Sequence, residues 1–259
     1  MGAAKWIGGI IGFMAGGPLG ALAGYALGSL FDVNTGSAGS DYDQGQTASS
    51  RYTGQRNSFL FSMLVMASYI IKADGKVMHS EMEYVRRFLK VNFGDSAISE
   101  GEQILLNLFE QRKQMDMQNP QAFKNTIRDC GAQIAANLPY EARLQLLDFL
   151  INIAKSDGKV CSKEIAALKE VAQYMGLSAQ EVESMLNLGG NSLDEAYKVL
   201  EVEPTATNDE VRAAYRRLAL KHHPDKVAML GEDIKKAAEE KFQSINSAKE
   251  LIYKARGIK

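Results

Sequence analysis

Apolar positions recur along most of this chain with the spacing of α-helices, and strand-like alternation with hairpin turns is absent from the pattern. The stripe Phe59, Met63, Met66, Ile70 predicts one helix, and Leu144, Leu147, Ile151, Ala154 predicts another. Two more helical patterns lie between them, from about Ser99 to Met115 and from after Asn119-Pro120 to before Pro139. A further helix is expected over Ser178–Leu188. Beyond it, Ser192 and Glu195 form a capping box ahead of a short helix presenting Leu193, Tyr197 and Leu200 on one face, which Pro204 breaks. Thr207 and Glu210 form a second box, opening a helix with the stripe Val211, Ala214, Tyr215, Leu218, His222. Pro224 excludes the helical conformation for His223, so this helix ends in a sharp loop. The last helix, from Glu232 to about Tyr253, carries Ala238, Phe242, Ile245, Ala248 and Ile252 and is expected to pack antiparallel to the one before. The fold class is all-α.

The middle of the chain is doubled. "IIKADGKVMHSEMEYVRRFL" starts at Ile70 and "NIAKSDGKVCSKEIAALKEV" at Asn152. An offset of 83 positions pairs Asp74 with Asp157, Lys76 with Lys159, Val77 with Val160 and Glu81 with Glu164. Each copy reads as helix, Asp-Gly turn, helix. Gly75 and Gly158 are expected to stop the first helix in the left-handed conformation. Ser80 and Ser162 are expected to cap the second. Val77 and Val160 are expected to plug the turn into the core. Asp74, Glu81, Asp157 and Glu164 admit two readings: capping of backbone N–H groups near helix starts, or convergence of the two copies around a divalent cation. His79 reads as an exposed turn residue.

The N-terminal run differs in kind. Trp6 to Phe31 holds no charged side chain, and glycine falls on every fourth position from Gly8 to Gly28. As a helix it would be about 39 Å long, against a hydrocarbon core of about 30 Å. Three readings stay open: a membrane segment, a glycine-zipper packing element that could pair two copies of the chain, and a flexible leader. Gly16-Gly17-Pro18 is a breaker in water. The run is not a convincing secretory signal, and Trp6 rules out the myristoylation motif that Met1-Gly2 invites. Asp32–Asn57 turns to Gly, Ser, Thr, Asp and Gln, the composition of a tether. The expected division is 1–31, apolar segment; 32–57, linker; 58–188, doubled helical domain; 192–259, C-terminal helical hairpin.

A net charge of −1 over 259 residues gives no field to attract nucleic acid. Cys130 and Cys161 are too far apart in sequence for a C-x-x-C pair and imply a reducing compartment without a disulfide framework. No nucleophile–base spacing, phosphate loop or H-E-x-x-H appears, so the chain is not expected to be an enzyme, and no cofactor is expected beyond the cation above. Arg212, Arg216, Arg217 and Lys221 form a basic side on the helix that ends at His223-Pro224-Asp225.

The doubled region resembles the TerB-like domain of tellurite-resistance proteins, in which paired acidic positions have been suggested to hold a divalent cation. The His223-Pro224-Asp225 tripeptide, with "AYRRLAL" before it and "KFQSINSAKELI" after it, resembles a J domain of DnaJ-type co-chaperones. That resemblance implies docking of a DnaK-type chaperone on the basic face and triggering of its ATP hydrolysis by the loop. The order of apolar segment, TerB-like domain and J domain resembles the DjlA class of membrane-anchored co-chaperones. It implies a bacterial protein at the cytoplasmic face of the inner membrane, with unfolded or regulatory clients. The runner-up is a metal- or stress-sensing TerB-like adaptor with the J domain as output.

Overall fold

The computed structural model describes residues 17–28, 48–188, 192–230 and 232–258. Expectations for residues 1–16 and 29–47, which include Gly8, Gly12, Gly16 and most of the linker, lie outside the described residues. All regular structure among the described residues is helical. In chain order the helices are α1 (Gly17–Gly28), α2 (Ala48–Ile71), α3 (His79–Phe93), α4 (Ser96–Gln118), α5 (Ala122–Asn137), α6 (Tyr140–Ala154), α7 (Ser162–Tyr174), α8 (Ala179–Leu186), α9 (Leu193–Val199), α10 (Asn208–Lys221) and α11 (Glu232–Arg256), with a 3-10 segment over Pro224–Leu230. Helix α2 begins at Ala48, inside the segment expected to be linker.

The bundle is organised around α2 and α6, the equivalent first helices of the two repeats, which pack together. From Ser58 to Ile71 every residue of α2 is buried, so this stretch is a core helix rather than an amphipathic one. Two of its serines are satisfied within the helix: Ser62 Oγ donates to the Ser58 carbonyl at 2.9 Å and Ser68 Oγ to that of Val65 at 2.7 Å. Helices α5 and α7 cross closely at Gly131, where a Cβ would lie 2.5 Å from Tyr174 Cβ.

The two Asp-Gly turns are built alike. Gly75 has φ +92° and Gly158 φ +84°, the left-handed region that glycine enters without strain. Asp74 Oδ1 accepts from the Lys76 N–H, and Asp157 Oδ1 from that of Lys159, both at 2.9 Å. The next helices are not capped by the expected serines. The caps are Met78 and Cys161, whose N–H groups donate to Glu81 Oε2 at 2.8 Å and Glu164 Oε2 at 2.6 Å. Ser80 and Ser162 fall inside the helices, because a glutamate three residues past the cap does the capping instead. Val77 is 40% exposed and does not enter the core, whereas Val160 packs against it.

Helix α1 lies on α4 and α5. Pro18 sits in its first turn, where a missing N–H costs nothing. Leu19, Leu22 and Ala26 are fully buried, Gln133 Oε1 accepts from the Leu19 N–H at 3.0 Å, and Asn107 Nδ2 donates to the Ala26 carbonyl at 2.8 Å. A Cβ on Gly24 would meet open space, so that glycine is not needed for this packing. No helix among the described residues is long and apolar enough to cross a membrane.

Helices α9, α10 and α11 close a second core of Tyr197, Leu200, Val211, Leu218, Ile245 and Ile252. Leu193 is exposed, contrary to expectation. It is the first residue of a seven-residue helix whose buried side is carried by Ala196, Tyr197 and Val199. Arg256 locks the α9–α10 loop: Nε donates to Tyr197 Oη at 2.6 Å, Nη1 to the Ala206 carbonyl at 2.5 Å and Nη2 to that of Pro204 at 2.7 Å.

Candidate functional site

The two Asp-Gly turns bring Asp74, Asp157 and Glu164 within electrostatic reach of Glu81. Glu81 is almost fully buried. Burial first, and then the charges of Glu164, Asp74 and Asp157, push its carboxyl up to about 7 against the hydrogen bond from Met78. One oxygen of each of the four carboxylates is already taken by a backbone N–H. Among the described residues, no group of three or more His, Cys, Asp or Glu is placed to hold a metal ion. Each of the four side chains thus fills a capping or turn-closing role through one carboxylate oxygen. His79 is exposed, 3.8 Å from Glu83 on its own helix.

Helix α10 carries the basic residues toward His223-Pro224-Asp225. The helix is set by its capping box, in which Thr207 Oγ1 accepts from the Glu210 N–H at 3.3 Å. It is pinned to α11 by Tyr215 Oη donating to Asn246 Oδ1 at 2.9 Å. The His223 ring meets the Phe242 ring edge-on, with centroids 5.9 Å apart. The Asp225 N–H donates to His223 Nδ1 at 3.3 Å. Asp225 itself is 79% exposed, so the loop is braced from within and offers its carboxylate outward.

The four cations that the sequence groups together do different things. Arg212 pairs with Asp209 at 3.2 Å on its own helix, and Arg216 is exposed. Arg217 Nη2 lies 3.0 Å from Glu201 Oε2, and that glutamate side chain is only 6% exposed. Glu201 has φ +58° in the loop after α9, so Arg217 ties α10 to a tight turn. Lys221 reaches from α10 across to the bundle. Its Nζ sits 3.0 Å from Glu181 Oε1 on α8, donates to Tyr140 Oη of α6 at 2.9 Å, and lies 4.9 Å from the Tyr140 ring centroid. Leu220, which the sequence reading passed over, is 66% exposed on the same helix. Its position four residues past Arg216 places both on one side, the signal that was available.

Lys221 belongs to a wider joint. Lys226 Nζ is 2.6 Å from Glu141 Oε1, and Ser184 Oγ donates to the Val199 carbonyl at 2.7 Å. Val227, Ile234 and Ala238, from the loop and α11, are buried in the bundle's own core. His222 is buried beside them; burial, then Lys241 and Lys221, push its imidazole down to about 3.

Comparison with known proteins matches this architecture segment by segment. The family described as tellurite resistance protein TerB matches residues 61–187, the DnaJ domain 195–256, and the co-chaperone DjlA transmembrane domain 1–49. The co-chaperone protein DjlA of Shewanella oneidensis is 28% identical over 277 residues, covering 98% of each chain. That of Coxiella burnetii is 26% identical, covering 98% of this chain and 99% of its own. That of Vibrio vulnificus is 27% identical, covering 84% of each. No solved structure matches. With its three segments in that order and relatives alike over most of its length, the chain is a DjlA-like co-chaperone with a TerB-type bundle and a J domain.

Proposed function

We propose that this protein docks a DnaK-type chaperone on α10 and the His223-Pro224-Asp225 loop and stimulates that partner's ATP hydrolysis. One arrangement supports this above all: Arg212, Arg216 and Leu220 stand on α10, and the braced loop at its end offers the Asp225 carboxylate to solvent. Arginine brings long-range attraction to an acidic partner and bidentate geometry on contact. Leu220 adds an apolar anchor. Asp225 supplies a carboxylate that competes for a cation in the partner, and Pro224 holds it in one place. The chemistry of hydrolysis belongs to the partner, and this chain biases the partner's conformational equilibrium toward the competent state.

In the same proposal, the residues before α1 hold the protein at the cytoplasmic face of a bacterial inner membrane, because α1 itself is docked on α4 and α5. The bundle, residues 58–188, presents the J domain, residues 192–259, to unfolded or regulatory clients. A cytoplasmic site follows from the partner's need for ATP. The N-terminal glycine repeat offers a surface on which two copies could pair.

His223→Gln removes the ring contact with Phe242 and the acceptor for the Asp225 N–H while leaving both cores untouched. Stimulation of a bacterial DnaK-type ATPase by the purified full chain should fall to background with an unchanged circular dichroism spectrum. Retained stimulation refutes the proposal. Alkaline carbonate extraction of membranes tests the anchoring: complete release of the protein rules out an integral segment.

A further inference from the structure

We propose that the bundle restrains its own J domain: Tyr140, Glu141 and Glu181 form a clasp that withholds the two lysines beside the His223-Pro224-Asp225 loop from the chaperone. This rests on the reading that the basic face and loop are the chaperone-docking surface. Lys221 and Lys226 bracket the tripeptide in sequence. Both face the bundle: Lys221 holds Glu181 at 3.0 Å and Tyr140 Oη at 2.9 Å, and Lys226 holds Glu141 at 2.6 Å. An acidic partner approaching this end of α10 therefore meets cations whose charge is already matched by carboxylates of the same chain.

The clasp is local. Arg212, Arg216, His223 and Asp225 stay accessible, so the partner can dock before the lysines are released. The deeper seam of Val227, Ile234 and Ala238 is apolar and buried in the bundle core. Exchanging the lysines' partners leaves that seam closed. Lys226 and Glu141 keep partial contact with water at 37% and 21% exposure, so their exchange is the easier of the two. Lys221 is held more firmly, because Glu181 is buried and also accepts from the Ser178 N–H at 2.7 Å. The bundle thus sets a threshold: only a partner with enough negative surface to outbid these carboxylates engages the full face.

The test uses the full chain with Glu141→Gln, Tyr140→Phe and both together, each of which keeps the size of the side chain it replaces. The concentration giving half-maximal stimulation of a DnaK-type ATPase should fall about five-fold in the double variant, equivalent to about 1 kcal/mol. Maximal stimulation should not change. Acetylation of Lys226 by a water-soluble ester, read by mass spectrometry without any chaperone, should quicken in Glu141→Gln. A half-maximal concentration that stays level or rises overturns the clasp, as does unchanged Lys226 labelling. A wild-type chain no better than His223→Gln overturns the docking reading instead, and the labelling arm still judges the contact.

Discussion

Lys241 Nζ and Asp148 Oδ1 lie 3.0 Å apart across the joint between the J domain and the bundle, with the lysine only 4% exposed. The two form a close charge pair in a buried joint. Burial pulls the Lys241 pKa down, and Asp148 works against that pull. Removing one member of such a pair strands the other. Asp148→Asn should therefore cost about 3–5 kcal/mol in denaturant unfolding, while Asp148→Leu combined with Lys241→Met should recover most of it. A loss under about 1 kcal/mol in the single variant would mean the joint does not depend on this pair.

Two buried groups give stability opposite dependences on pH. His222 titrates near 3 when folded against 6.5 otherwise, so its contribution is complete above pH 6.5 and drains away as pH falls toward 3. Glu81 titrates near 7 against 4.5, so its contribution is complete below pH 4.5 and drains away as pH rises toward 7. Between 4.5 and 6.5 the two oppose each other and flatten the wild-type profile. Glu81→Gln retains an acceptor for the Met78 N–H and removes the charge. It should be more stable than wild type by about 1–3 kcal/mol above pH 7 and equal to it below 4.5. It should also lose stability steadily below pH 6.5, with His222 unopposed. Melting curves across this range decide the matter; an advantage that does not vary with pH would show that the Glu81 charge is not involved.

Arg216 and Arg217 are neighbours in sequence with separable roles. Arg217 neutralises the buried Glu201, whose carboxyl is pushed up by burial and held back by Lys221 and Arg217. Arg217→Ala leaves that carboxylate short of a partner and should cost about 1–2 kcal/mol, or about 3–6 °C in Tm. Arg216→Ala should leave Tm within about 1 °C and weaken only the ATPase stimulation, since exposed substitutions of this kind are thermally quiet. Calorimetry and turnover on the same preparations separate the two. Equal Tm for both variants would assign Arg217 to docking alone.

The local signals in this chain were legible from residues alone. The Asp-Gly pairs foretold Gly75 and Gly158 at positive φ, and the Ser192–Glu195 and Thr207–Glu210 boxes foretold the starts of α9 and α10. Where two local signals competed, the reading slipped. Ser80 and Ser162 looked like caps, but Glu81 and Glu164 reach back to Met78 and Cys161. Val77 matched Val160 in the repeat, yet one is exposed and the other packed, because the two copies meet different neighbours.

The amino-acid order alone determined the helices, the doubling, the tight turns and the loop motif, since each depends on groups within about four positions, where side chain and backbone can touch in any compact state. It could not say that Lys221 would leave the basic face for Glu181, 40 positions away, and Tyr140, 81 away, or that Lys226 would find Glu141. Those pairings arise only once Val227, Ile234 and Ala238 are buried in the bundle and carry the lysines to its edge. The burial is non-directional and summed over many contacts, so the drawing of Lys221 off the basic helix and onto the bundle belongs to the tertiary structure.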